Sequence, residues 1–116
     1  MNKYNPVLEK SKLFAVRCIK LNQYLQSERH EYILSKQLLR SGTSIGANTR
    51  EAIRAESKAD FYHKLNLALK EADETAYWFE LLYEGAYITE YQYKSISEDC
   101  NELIKLLASI TKNQKY

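Results

Sequence analysis

Lys36, Arg40, Arg50 and Arg54 fall on a four–three repeat whose intervening positions are Thr43 and Ala47. If this stretch is helical, all six positions share one face, and no acid interrupts it. Such a face can neutralise phosphates through lysine and arginine without reading bases. Lys10 and Arg17, with Lys20, add charge from the preceding segment. The candidate nucleic-acid-binding set is therefore Lys36, Arg40, Arg50, Arg54, Lys10 and Arg17, weighed against the commoner alternative of a solvated basic face.

Other chemistries need patterns that are incomplete here. A di-metal carboxylate centre in a helical bundle requires Glu-x-x-His on two helices and a glutamate from each of two more. The nearest match is the single Asp60-Phe-Tyr-His63, and His30 lies in a polar stretch with no partner pattern. No metal and no cofactor are expected. Ser44 has no histidine at a useful spacing, and Cys18 and Cys100 lack a local base, so no activated nucleophile is expected either. The expectation is a protein without catalytic residues.

The elements that must carry these side chains are helices. Residues 41–52, Ser-Gly-Thr-Ser-Ile-Gly-Ala-Asn-Thr-Arg-Glu-Ala, look loop-like, yet Leu34, Leu38, Ser41, Ile45, Asn48, Ala52 and Ala55 keep a helical spacing through them without a proline. Each interior glycine costs about 1 kcal/mol relative to alanine. Two of them therefore imply that another helix approaches this backbone closely. A second helix from about Glu31 to Ala55 follows.

The first helix is expected from Pro6 to about Gln26, with Asn5 as N-cap and a stripe of Val7, Ser11, Phe14, Cys18, Leu21 and Leu25. The third starts after Ser57, where Ser57 and Asp60 suggest a cap. It carries the heptad seam Phe61, Leu65, Ala68, Ala72, Thr75, Phe79 and Leu82, and ends at Gly85. The fourth opens on a Thr89/Gln92 capping box stapled by Ile88 and Tyr93, with a stripe of Ile96, Cys100, Leu103, Leu107 and Ile110. Similar helix lengths and short connections predict an all-α, antiparallel up-down-up-down four-helix bundle, a single domain spanning 1–116.

Ser44, Asn48 and Glu51 share one face of the second helix, and Lys64, Ala68, Glu71 and Thr75 form a comparable row on the third. Asn48 or Glu51 can pair with Lys64 across the bundle. We expect Ser44, Asn48, Glu51, Lys64 and Glu71 to form a buried polar motif that fixes helix register, with a ligand or RNA contact as the alternative.

Two blocks of this pattern resemble the 23S ribosomal RNA intervening-sequence proteins. The first contains Ser41, Ser44, Ile45, Gly46, Ala47, Asn48, Glu51 and Ala52; the second contains Phe61, Lys64, Leu65, Ala68, Glu71, Glu74, Thr75 and Trp78. Glu102-Leu-Ile-Lys-Leu-Leu adds only generic helix. The resemblance spans roughly Val7 to Lys112. It implies a bundle that assembles into a five-membered ring, without known catalysis and with a role involving RNA. The accessory protein of diversity-generating retroelements is related, which makes a reverse transcriptase an implied protein partner.

Composition sets the remaining bounds. With 116 residues, one proline, three glycines and 28% charged residues, the chain suits one helical core. No run reaches the roughly 20 apolar residues of a membrane span, and Met1–Pro6 lacks the apolar centre of a signal peptide. A cytoplasmic location with no membrane partner is expected, where Cys18 and Cys100 stay reduced as buried thiols. Residues 1–54 hold ten Lys/Arg against four Asp/Glu, and residues 55–116 hold seven against eleven.

Ten tyrosines, including Tyr24, Tyr62, Tyr77, Tyr83, Tyr87, Tyr91 and Tyr93, mostly fall off the core stripes. They suit subunit contacts, with base stacking as the rival use. Two functions remain open. One is a homo-oligomeric RNA- or nucleoprotein-binding scaffold. The other is a purely structural homo-oligomer whose basic half docks on the acidic half of the next copy.

Overall fold

A computed structural model describes residues 4–113. Residues 1–3 and 114–116, the two ends of the expected 1–116 domain, lie outside the described residues, and with them the first half of the Met1–Pro6 stretch. Four helices account for nearly all of the rest: α1 (Asn5–Arg29), α2 (Leu34–Ile53), α3 (Lys58–Glu84) and α4 (Glu90–Thr111). No strand occurs among the described residues. Cross-helix pairs fix the direction of each neighbour. Lys10 meets Glu102 and Arg17 meets Asp99, so α4 descends as α1 rises. Arg40 meets Glu71 and Glu74 while Glu51 meets Lys64, so α3 runs against α2. Gly42 lies on Cys18 and Gly46 on Ser11, which sets α2 against α1. The result is an antiparallel up-down-up-down bundle, 46 Å long.

The Ser41–Ala52 segment is uninterrupted helix. Its glycines explain themselves by what faces them. A Cβ on Gly42 would stand 2.5 Å from Cys18 Sγ, and one on Gly46 would stand 3.3 Å from Ser11 Oγ. The missing methyls let α1 lie against the backbone of α2, and that proximity offsets the lost helix propensity.

The expected stripes form the core. Phe14 of α1 and Phe79 of α3 meet edge to face, with ring centroids 6.1 Å apart. Leu25, Leu38, Ile45, Leu65, Leu82, Leu103 and Leu107 are fully enclosed around them. Burying each such side chain contributes about 1.5–3 kcal/mol. Cys18 and Cys100 are both buried and unbridged. Thr49 is buried where the stripe had placed Asn48, and Tyr62 is buried rather than peripheral.

Several helix ends differ from expectation, among them that of α2, which stops at Ile53 rather than Ala55. α1 begins at Asn5 with Tyr4 in the capping position, and it runs on to Arg29, since Ser27, Glu28 and Arg29 are competent helix formers. His30 then adopts a left-handed conformation (φ 53°) and closes the helix. α2 starts at Leu34, not Glu31. The buried Glu31 instead caps it from outside, its carboxylate accepting from the backbone N–H groups of Ile33, Leu34 and Ser35 at 3.2, 2.9 and 2.7 Å. At the end of α3, Gly85 is the C-capping residue as expected, but the left-handed turn is made by Ala86 (φ 65°). Ser57 caps α3 by accepting from Asp60 N–H, and α4 carries the full Thr89/Gln92 capping box.

Candidate nucleic-acid interface

The six candidate cations divide according to the helix seam they face. Arg17, half-buried on α1, reaches α4: its guanidinium donates to Asp99 Oδ2 at 2.7 Å, to the Ser95 carbonyl at 3.2 Å and to Ser95 Oγ at 3.0 Å. Lys10 crosses the same seam to Glu102 at 3.2 Å. Arg40 leaves the face on which the spacing had set it and spans to α3, gripping both Glu71 oxygens at 3.0 and 3.3 Å and also bonding Glu74. The Glu71 hydrogen bond raises the Arg40 pKa further above its ordinary value. These three cations tie the bundle together.

Lys36, Arg50 and Arg54 behave differently. All three are exposed, and among the described residues none forms an ion pair. Arg50 borders two clefts. One, floored by Gly46 and Ala47, has Lys12 of α1 on its other wall; the second also holds Arg54 and Lys64 and is lined by Glu56 and Asp60 as well, while Glu51 borders both. Lys12, likewise unpaired among the described residues, is a member of this face that spacing does not reveal. It arrives there only because the small residues of α2 bring α1 close. The basic face is therefore Lys12, Lys36, Arg50 and Arg54, with Arg40 removed from it.

The expected buried polar motif does not form as such. Glu51 does pair with Lys64 at 3.0 Å, but on the surface, with the carboxylate side chain 58% exposed. That bond raises the Lys64 pKa. Ser44 donates to the Arg40 carbonyl and Asn48 to the Ser44 carbonyl, bonds within their own helix. Glu71 is spent on Arg40. The buried polar link between α2 and α3 is Ser41 with Thr75, their hydroxyls 2.8 Å apart.

Most of the tyrosines gather toward the end of the bundle that carries the α1–α2 and α3–α4 loops, while Tyr4, Phe61 and Tyr62 cluster at the other end. Tyr83 and Tyr93 stack nearly parallel at 4.7 Å, and Arg29 lies over the Tyr87 ring while bonding the Ala86 carbonyl. Tyr77 and Tyr91 are exposed. No set of three or more His, Cys, Asp or Glu side chains among the described residues is placed to hold a metal ion, and His63 stands on the surface. No helix of the described residues is long and apolar enough to cross a membrane.

The long helices, the small-residue α2 and the α2–α3 pairing match a known pattern. A sequence model of the 23S rRNA-intervening sequence proteins covers residues 3–109. The chain belongs to this family. It is also similar to a crystal structure from Bacteroides thetaiotaomicron, described as a protein of unknown function from the S23 ribosomal protein family. The two are 58% identical, over 91% of this chain and 98% of that one, with a TM-score of 0.90. No functionally curated protein matches the chain. Family membership thus establishes the bundle and its lineage, and this 23S rRNA-intervening sequence protein brings no catalytic family with it.

Proposed function

We propose that this chain is a non-catalytic, self-assembling bundle that binds RNA through the outer face of α1 and α2. The observation that carries the reading is the unequal pairing of its cations. Lys10, Arg17, Arg40 and Lys64 are held by carboxylates at helix seams, whereas Lys12, Lys36, Arg50 and Arg54 form no ion pair among the described residues, and Arg50 shares one cleft with Lys12 and another with Arg54. Unpaired like charges gathered on one face keep a field that draws in a polyanion. Repeating that face in a homo-oligomer, a pentamer by family resemblance, adds weak phosphate contacts through avidity. A reverse transcriptase is the protein partner the resemblance offers, and the cytoplasm is the proposed location.

The test is fluorescence anisotropy with a labelled single-stranded RNA across a salt series. About four phosphate contacts give a log–log slope of roughly −3. Arg50→Glu combined with Arg54→Glu should abolish binding while circular dichroism and light scattering report the same helix and the same mass. Undiminished RNA affinity in that variant sinks the assignment of the face.

A second reading has its own observation. Leu13, Val16 and Ile19 of α1 are 68%, 42% and 40% exposed beside the basic face, and Tyr77 and Tyr83 are exposed on α3 among Asp73, Glu80 and Glu84. These patches complement each other in charge and in apolar area. A heterologous contact between them in successive copies closes a ring. Under this reading the Arg50/Arg54 variant loses mass instead of RNA.

A further inference from the structure

We infer that the groove between α1 and α4 receives an unpaired base of single-stranded RNA, with Tyr91 as its stacking lid. This rests on the RNA-binding reading above and adds a ligand class and a second contact region to it.

Of the neighbouring helix pairs, α1 and α4 approach each other least closely. Above the Arg17–Asp99 bridge they leave a groove of 360 Å³, within the range of small-ligand sites. Leu21, Ile88 and Ile96 line it with apolar surface, and Tyr24 and Tyr91 border it. Tyr24 packs against the core and is a fixed wall. Tyr91, in the first turn of α4, is 83% exposed and stacks on no other ring among the described residues. A ring so placed contributes little to the bundle's packing, while its faces stay available beside an apolar trough.

The polar groups around the groove favour an anionic ligand such as a nucleotide over a cationic one. No lining residue is acidic, and two are basic, Arg17 and Lys20. Arg17 is committed to Asp99 and Ser95, which leaves Lys20, unpaired among the described residues, as the cation for the adjoining phosphate. Gln92 is polarised by its capping role. Its Oε1 accepts from Thr89 N–H at 2.8 Å, so the amide NH₂ is the group left to meet a ligand, and it can only donate. Carbonyl oxygens on a base edge satisfy it. A base in a duplex is paired and stacked and cannot enter such a groove, whereas bases of single-stranded RNA splay onto aromatic side chains.

The experiment compares a labelled 12-nucleotide oligouridylate with its duplex on oligoadenylate, using wild type, Tyr91→Ala, Tyr91→Phe and the Arg50→Glu/Arg54→Glu variant. Tyr91→Ala should weaken single-strand binding about tenfold, the effect of losing one stacked base, and leave duplex binding unchanged. Tyr91→Phe should restore it, and the double variant should lose both ligands. If wild type binds both RNAs and Tyr91→Ala binds them equally well, the groove assignment falls while the basic face stands. Binding to neither RNA removes the proposed function and this inference together. If an acidic, tryptophan-bearing peptide binds wild type but not Tyr91→Ala, and RNA affinity is unaffected, the groove belongs to a protein ligand and the inference is overturned.

Discussion

Thr75 of α3 and Ser41 of α2 bring their hydroxyls within 2.8 Å in the enclosed centre of the bundle, and each has a carbonyl in reach as an alternative acceptor: Glu71 at 2.7 Å for Thr75, Leu38 at 3.4 Å for Ser41. Both side chains have no accessible surface. The pair is a small polar lock between two apolar seams, and because every partner has a fallback, breaking one half leaves no orphaned group.

Thr75→Val should therefore cost only about 1 kcal/mol, the net value of an ordinary hydrogen bond. Urea denaturation measures this. Ser41→Ala combined with Thr75→Val should cost less than the two single changes summed. Strict additivity would mean that the hydroxyls do not interact.

Gly42 and Gly46 should respond oppositely to alanine. At Gly42 the new methyl meets Cys18 Sγ at 2.5 Å and Cys18 Cβ at 3.0 Å. Overpacking of about 1–3 kcal/mol outweighs the gain of about 1 kcal/mol in helix propensity. At Gly46 the nearest atom is the Ser11 hydroxyl oxygen at 3.3 Å, buried and donating to the Leu8 carbonyl at 3.0 Å; it need give by only a few tenths of an ångström, so Gly46→Ala should be neutral or slightly stabilising. Cys18→Ala in the Gly42→Ala background should recover most of the loss; thermal melts that show no recovery would place the clash elsewhere.

Burial pushes the thiols of Cys18 and Cys100 up to about 12 from an ordinary 9.0. With folded values above the unfolded ones, their contribution to stability is complete below pH 9 and is lost as pH rises from about 9 to 12, because only the unfolded chain releases the protons there. Cys18→Ala with Cys100→Ala should flatten that part of the stability profile. For the same reason native thiols should react with a disulfide reagent at pH 8 only as fast as the bundle opens. An immediate burst of two thiols contradicts this.

Glu31→Ala should lower stability by about 1–2 kcal/mol, since it strips three N–H groups at the start of α2 of their acceptor. Glu31→Gln keeps one oxygen and should lie between. The fraying ought to be visible as faster amide exchange at Leu34 and Ser35, with the middle of α2 unaffected.

Periodicity sufficed where a residue's role depends on its own helix. The Leu65–Leu82 seam and the continuity of α2 through Gly42 and Gly46 were both readable, because core spacing persists whatever the composition between. What periodicity does not encode is the register of one helix against the next. Arg40 and Arg54 lie two heptads apart on the α2 stripe, at equivalent positions, yet only Arg40 comes to rest opposite two glutamates of α3. Asn48 and its neighbour Thr49 both satisfy a three-or-four spacing, and the burial of Thr49 was decided by packing. Glu31 reads as an ordinary first-turn residue because its cap is made by a long carboxylate folding forward, outside the usual Ser, Thr and Asp signature.

The α1–α4 seam gives the bundle a latch. Three of its sides are zipped by interdigitated side chains, whereas the fourth is fastened by Lys10–Glu102 and Arg17–Asp99, bridges between partly exposed groups that are each worth less than about 1 kcal/mol and weaken as salt rises. Rising salt should therefore loosen this seam before the other three. Because α1 also carries Lys12 and Lys20, a polyanion lying across it would bear on the helix that stands at this salt-sensitive seam.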